Sequence, residues 1–154
     1  MALQAGAPAL GGDFQNLALK THAPLDSGTW TSTTYVTARS GATSPVGVSF
    51  TAPPSGKVTV LWAAQLAHST TGSTLVAFQV KTGTTIASGT TIQGVTDSNA
   101  LQNTGTPSLA YGIHDVVEGL DPGSDYNVSL MFRNGAAGTG TAADVRVSVL
   151  PAIA

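Results

Sequence analysis

The chain has 154 residues, no cysteine, a formal net charge of -2 and only 9% charged side chains, against roughly 25% in an ordinary soluble domain. This length suits one domain whose core needs no disulfide, and the missing cysteines exclude thiol nucleophiles and cysteine metal sites. The six basic residues, Lys20, Arg39, Lys57, Lys81, Arg133 and Arg146, are scattered, so no basic stripe exists to neutralise phosphates and a nucleic-acid partner is not expected.

Residues 1–28 differ from the rest, being rich in Ala, Gly, Pro and Leu. The start lacks the basic residues and unbroken apolar run of a secretory signal. Within "GGDFQNLALKT" a weakly helical spacing puts Phe14 and Leu17 on one face, with Asp13 as N-cap. So short a segment cannot bury its own apolar face. Residues 1–28 are therefore read as a docking arm, with Leu10, Phe14, Leu17 and Leu19 as its contacts, and residues 29–154 as the folded domain.

From Trp30 onward the pattern is β. "TWTSTTYVTA" is rich in Thr, Tyr and Val, which suit a pleated surface. "VGVSFTA" alternates through Val46, Val48 and Phe50, and "KVTVLWAAQLA" through Val58, Val60 and Trp62. "TLVAFQVKT" groups Val76, Phe78 and Val80; "TTIQGV" and "LAYGIHDVVEGL" are weaker candidates. "DYNVSLMFR" alternates through Tyr126, Val128, Leu130 and Phe132, and "DVRVSVL" through Val145, Val147 and Val149. About eight strands between turns such as "PPSG", "DPGS" and "NGAAGTG" predict an all-β, antiparallel β-sandwich with an extended N-terminal arm. No run of ~18 apolar residues occurs, so no membrane span is expected.

Chemistry is sparse. His22, His68 and His114 lie in unrelated segments without a second ligand at metal spacing; His68 is read as a surface-loop residue. His114 and Asp115 are neighbours on a strand and should point to opposite faces. Asp115 with Glu118, or Asp121 with Asp125, could be imagined as a glycosidase pair, but "DPGS" is turn chemistry in which Asp caps, Pro fixes one dihedral and Gly takes the left-handed one. "DSN" at residues 97–99 is a weak calcium candidate. The glycine-rich "NGAAGTGTA" lacks the Lys-Ser/Thr ending of a phosphate loop and is read as a hairpin. "NVS" at Asn127 matches a glycosylation acceptor inside a strand, a poor place for a glycan. No catalytic, cofactor or metal residue is assigned, and the chain is expected not to be an enzyme. Trp62 is read as core. Trp30, beside the arm, is weighed as an interface aromatic against the rim of the core.

"FTAPPSGKVTVLWAAQL", "GLDPGSDYNVSLMFRNG" and "TAADVRVSVLP" together resemble the jelly-roll head domain of the complement/tumour-necrosis-factor superfamily. More closely, they resemble the small versions carried on virions by tailed phages of actinobacteria. The likeness spans about residues 30 to 151 and rests on scaffold motifs. It implies a jelly roll, a homotrimer, binding without catalysis, a virion location and a phage capsid or tail protein as partner, in a head decoration or minor tail role. No collagen-like or coiled-coil stalk separates arm from head, which favours a compact decoration over a long fibre. Two alternatives stand beside this one. The neutral, hydroxyl-rich loops would suit an adhesin for bacterial surface glycans. "GLDPGSDYNVSL" also resembles the tyrosine corner of fibronectin type III domains, with Tyr126 bonding back to the turn.

Overall fold

The computed structural model describes residues 20–22, 27–42 and 45–152. Leu10, Phe14, Leu17 and Leu19, the predicted docking residues, lie outside this range. Ten strands are described: β1 (Lys20–His22), β2 (Gly28–Trp30), β3 (Gly47–Thr51), β4 (Val58–His68), β5 (Ser73–Thr82), β6 (Thr91–Gln93), β7 (Leu101–Thr104), β8 (Leu109–Val117), β9 (Asp125–Asn134) and β10 (Gly140–Pro151). A single 3-10 turn covers Asp97–Asn99. Lys20 and Thr21, the end of the patch read as weakly helical, instead pair with β10.

All ladders are antiparallel and form two sheets. The first runs β1, β10, β4, β8, with β2 sharing the β10 edge; the second runs β3, β9, β5, β6, with β7 sharing the β5 edge. Passing from β3 to β4 to β5, and from β8 to β9 to β10, the chain changes sheet at every step. The orders β2-β10-β4-β8 and β3-β9-β5-β7 make a jelly roll, which settles strand order against the fibronectin type III alternative.

Between the sheets lies one core, supplied by the alternating positions. Val58, Val60, Trp62, Ala64 and Leu66 of β4 face Phe78, Val128, Leu130 and Phe132. Trp62 meets Phe78 edge-on at 4.8 Å between centroids and donates its indole N–H across the sandwich to the Val76 carbonyl at 3.2 Å. Its buried polar atom is thereby satisfied. Trp30 is only 5% exposed within the single chain and packs on Phe132 at 5.0 Å. Within the single chain it is part of the core cluster.

Three expectations need correction. Residues 31–38 do not form a strand: beyond β2 the segment contributes one bridge, Val36 to Phe132. The Ser32 hydroxyl donates to the Thr34 carbonyl at 2.6 Å and accepts from the Thr34 N–H at 3.1 Å, a local turn that competes with a ladder. The glycine-rich loop after Asn134 is no hairpin, because β9 and β10 belong to different sheets; it arches across the end of the sandwich. His68 is buried, with Thr70 donating its backbone N–H to Nδ1 at 3.2 Å.

The turn motifs lock one end of the sandwich. Gly56 N–H donates to the Pro53 carbonyl at 2.9 Å and closes the "PPSG" turn. Gly56 adopts φ 64°, and a Cβ there would stand 2.7 Å from the Leu120 carbonyl oxygen, so glycine is required twice over. Leu120 N–H reaches the Gly56 carbonyl at 3.0 Å, while Ala52 and the "DPGS" turn exchange bonds of 2.9 Å through Ser124 and Gly123. The Ser55 hydroxyl binds the Ala152 carbonyl at 2.8 Å. All three quoted motifs therefore meet.

A candidate assembly surface on strand β8

The two sheets present different outer faces. Loops cover the second: the Asn127 side chain binds the loop carrying Ala87 and Ser88, and Arg133 binds Asp97. Burial consequently runs unbroken along β5 from Thr74 to Val80. Among the described residues, no loop covers the outer side of the first sheet. Of the large hydrophobic side chains exposed among the described residues, Val116 (44%) of β8 and Leu61 (37%) of the adjacent β4 lie on this outer face, whereas Leu109 (47%) and Ile113 (38%), level with Leu66 and Trp62, flank the β8 edge from the inner side; Ile92 is elsewhere.

Among the described residues β8 is a free edge of its sheet, paired to β4 from Val58–Val117 to Leu66–Leu109 without a register shift. Edges are normally blunted by shortness, Lys, Pro, bulges or a covering loop. The other edges here are strands of three to five residues. β8 runs for nine residues, "LAYGIHDVV", with neither Lys nor Pro. Its outward backbone groups can be identified. His68 N–H, at the end of β4, donates to Gly105 on the β7–β8 side, which aims the even-numbered β4 residues at the odd-numbered β8 residues. Ala110, Gly112, His114 and Val116 therefore present their N–H and C=O groups to the free edge. Val116 is capped by the Asp115 carboxylate, which accepts its N–H at 2.8 Å.

On the outer face a shallow trough of about 350 Å³ lies across three strands, lined by Leu61 and Ala63 of β4, Gly112 and His114 of β8, and Arg146 and Ser148 of β10. The register explains it: Gly112, Ala63 and Arg146 form one row and His114, Leu61 and Ser148 the next. Small residues make the floor, and longer ones make the rim.

The remaining candidates disperse. His114 lines the trough, whereas Asp115 accepts the Asn99 side-chain amide at 3.2 Å, on opposite sides of the strand as expected. Glu118 pairs with Lys57 at 3.0 Å. Asp121 and Asp125 flank the turn; Asp125 accepts the Thr51 hydroxyl at 2.9 Å. Among the described residues no group of three His or acidic side chains could hold a metal ion. Asp97 of "DSN" already has its cation: Arg133 donates Nε to it at 2.9 Å and a terminal nitrogen to the second oxygen, and Tyr35 donates its hydroxyl at 2.9 Å. Arg133 holds the Asp97 carboxyl below the usual range, while burial, with help from Asp97, pushes the Tyr35 phenol up to about 12. Tyr111, the aromatic nearest the loops, is half-buried and donates its hydroxyl to Asn103 at 3.0 Å. Sequence reading missed the β8 surface because alternation separates buried from exposed faces but does not show which sheet face or edge later segments leave open.

No protein-family model and no curated protein matches the chain. Solved structures do. A chain of the T13 IBDV viral particle is similar with a TM-score of 0.54 at 10% identity, covering 86% of this chain; this chain spans 30% of that one. The CBM22-1 xylan-binding domain of Paenibacillus barcinonensis Xyn10C has a TM-score of 0.39 at 10% identity, covering 86% of this chain and 87% of its own. Bacteriophage CBA120 tailspike protein 4 has 0.38 at 13% identity, covering 90% of this chain and 20% of its own. At these identities the first likeness bears on fold alone, and it agrees with the jelly roll.

Proposed function

We propose that this chain is a non-enzymatic structural protein of a tailed-phage virion, a head decoration or minor tail protein whose arm docks on the capsid or tail. The observation that carries the reading is the β8 surface: a long, unblunted edge with apolar side chains beside it, on a domain that otherwise buries its hydrophobic residues well. Exposed apolar side chains gathered along both sides of one open edge suit a place of contact. The motif resemblance supplies the virion context and the homotrimer, which belongs to the same proposal. Docking would be mechanical. Leu10, Phe14, Leu17 and Leu19 would bury apolar area at roughly 25 cal/mol per Å², and linked arms would convert weak single contacts into firm attachment through effective concentration.

The double substitution Phe14→Ser, Leu17→Ser tests the arm. The domain should stay folded while incorporation into particles is lost; normal incorporation would refute the docking role. Glycan binding is the second reading, favoured by the trough, where Arg146 and His114 stand over the small floor of Ala63 and Gly112. It would predict retention of the protein on cell-wall polysaccharide and loss of that retention in Arg146→Ala.

A further inference from the structure

We infer that β8 pairs antiparallel with β8 of a second copy of this chain about a two-fold axis at Gly112, joining two sheets, each four strands wide, into one. The inference rests on the reading of β8 as an assembly surface and names its occupant.

The free edge itself selects the partner and the register. In an antiparallel ladder, outward-facing residues must lie opposite outward-facing residues. Val116 is capped by Asp115, so the open positions are Ala110, Gly112 and His114. Centring the axis on Gly112 sets Gly112 opposite Gly112 and Ala110 opposite His114 at both ends. Every open position is then used, each pair exchanging two backbone bonds, and the Asp115 cap is left intact. Moving the axis to Ile113 would bring Ala110 opposite Val116 and break the cap. Moving it to Tyr111 would leave His114 facing Ser108, outside the strand.

The side chains agree with that register. Ile113 falls opposite Tyr111 of the second copy, twice per pair of chains. These are non-hydrogen-bonded positions, where side chains approach closely and an aromatic beside a β-branched residue is favourable. Leu109 falls opposite Asp115, and no two like charges meet. The absence of a side chain at Gly112 lets the strands meet at the axis, and the two troughs become one valley across it. Such a contact pairs chains two by two. Combined with threefold packing through another face, it would give a six-chain particle, so the count is even in either case.

The chain has no cysteine, which permits a direct test on the purified full-length protein. A Cβ at Gly112 would meet only Ala63 and the Trp62 carbonyl at ordinary distances, so Gly112→Cys fits. Opposed Cα atoms would be about 5.5 Å apart, within the roughly 4.4–6.8 Å range of disulfides. Gly112→Cys should cross-link into dimers on mild oxidation, while Ile92→Cys, exposed on β6, should not. Light scattering should give an even multiple of the 15.4 kDa chain mass. His114→Pro removes an N–H that serves only the free edge and should halve that mass. Should His114→Pro fail to fold, Gly112→Lys sets two ammonium groups opposite each other and should do the same. A single chain, an odd number, a mass insensitive to these substitutions, or no cross-link at Gly112 would each overturn the inference. A strand of a different protein on β8 would appear as a monomer. None of these results depends on whether the protein is found on virions.

Discussion

The hydroxyl of Tyr126 accepts the backbone N–H of Asp121 at 3.1 Å, tying the start of β9 to the turn that precedes it. That is the tyrosine-corner contact suggested by the sequence, set in a jelly roll. The ring itself is buried against Phe50 at 5.9 Å. Tyr126→Phe keeps the packing and orphans one N–H, so stability should fall by about 0.5–1.5 kcal/mol. Urea unfolding would measure it, and an unchanged midpoint would show that water replaces the hydroxyl.

The trio of Tyr35, Asp97 and Arg133 sets a pH window. The Asp97 carboxyl is held below its ordinary 3.8, so its contribution is present above that value and lost as pH falls through the lower folded-state value. The Tyr35 phenol is raised from 10.0 to about 12, so its contribution is full below pH 10 and lost as pH rises toward 12. Thermal midpoints measured against pH should therefore decline at both ends for this trio. Asp97→Asn should flatten its part of the acid limb, with a small effect at neutral pH because Asp97 is more than half exposed. An acid limb identical in the variant would show that the trio contributes nothing.

Asn127 is fully buried, with its amide nitrogen 3.0 Å from the Gly83 and Ser88 carbonyls and its oxygen accepting the Ala87 N–H at 2.9 Å. Asn127→Ala should cost about 2–3 kcal/mol by leaving these groups unsatisfied, and should speed amide exchange in residues 83–90. The same burial closes the "NVS" acceptor to glycosylation in the folded protein.

Ala87 adopts φ 65°, where a Cβ costs roughly 1–2 kcal/mol. Ala87→Gly removes that cost against a smaller entropic loss. It should raise stability by about 0.5–1 kcal/mol, read from the denaturation midpoint; a lower midpoint would mean that Cβ packing outweighs strain.

How far the fold could be read depended on where each strand sits. β3, β4, β9 and β10 were legible because one face of each meets the core and the other meets solvent or polar neighbours, which preserves the two-residue period. In β5, Val76, Phe78 and Val80 could be placed, but Leu75 and Ala77 are buried too, beneath loops that no local pattern announces. β7 hid within polar "LQNT", whose Asn103 is buried because its amide binds the Leu66 and Pro107 carbonyls at 2.6 and 2.8 Å. The β8 surface was less legible still. Its edge is free only because of how β4 and β10 are ordered, a relation between segments far apart in sequence.

Whether this protein belongs to a particle is answered most directly by antibody-gold electron microscopy of intact tailed-phage virions that encode it. Regular label on the head or at a defined position on the tail is the predicted result. Virions carrying no label, from preparations in which the free protein is detected, would contradict the virion reading.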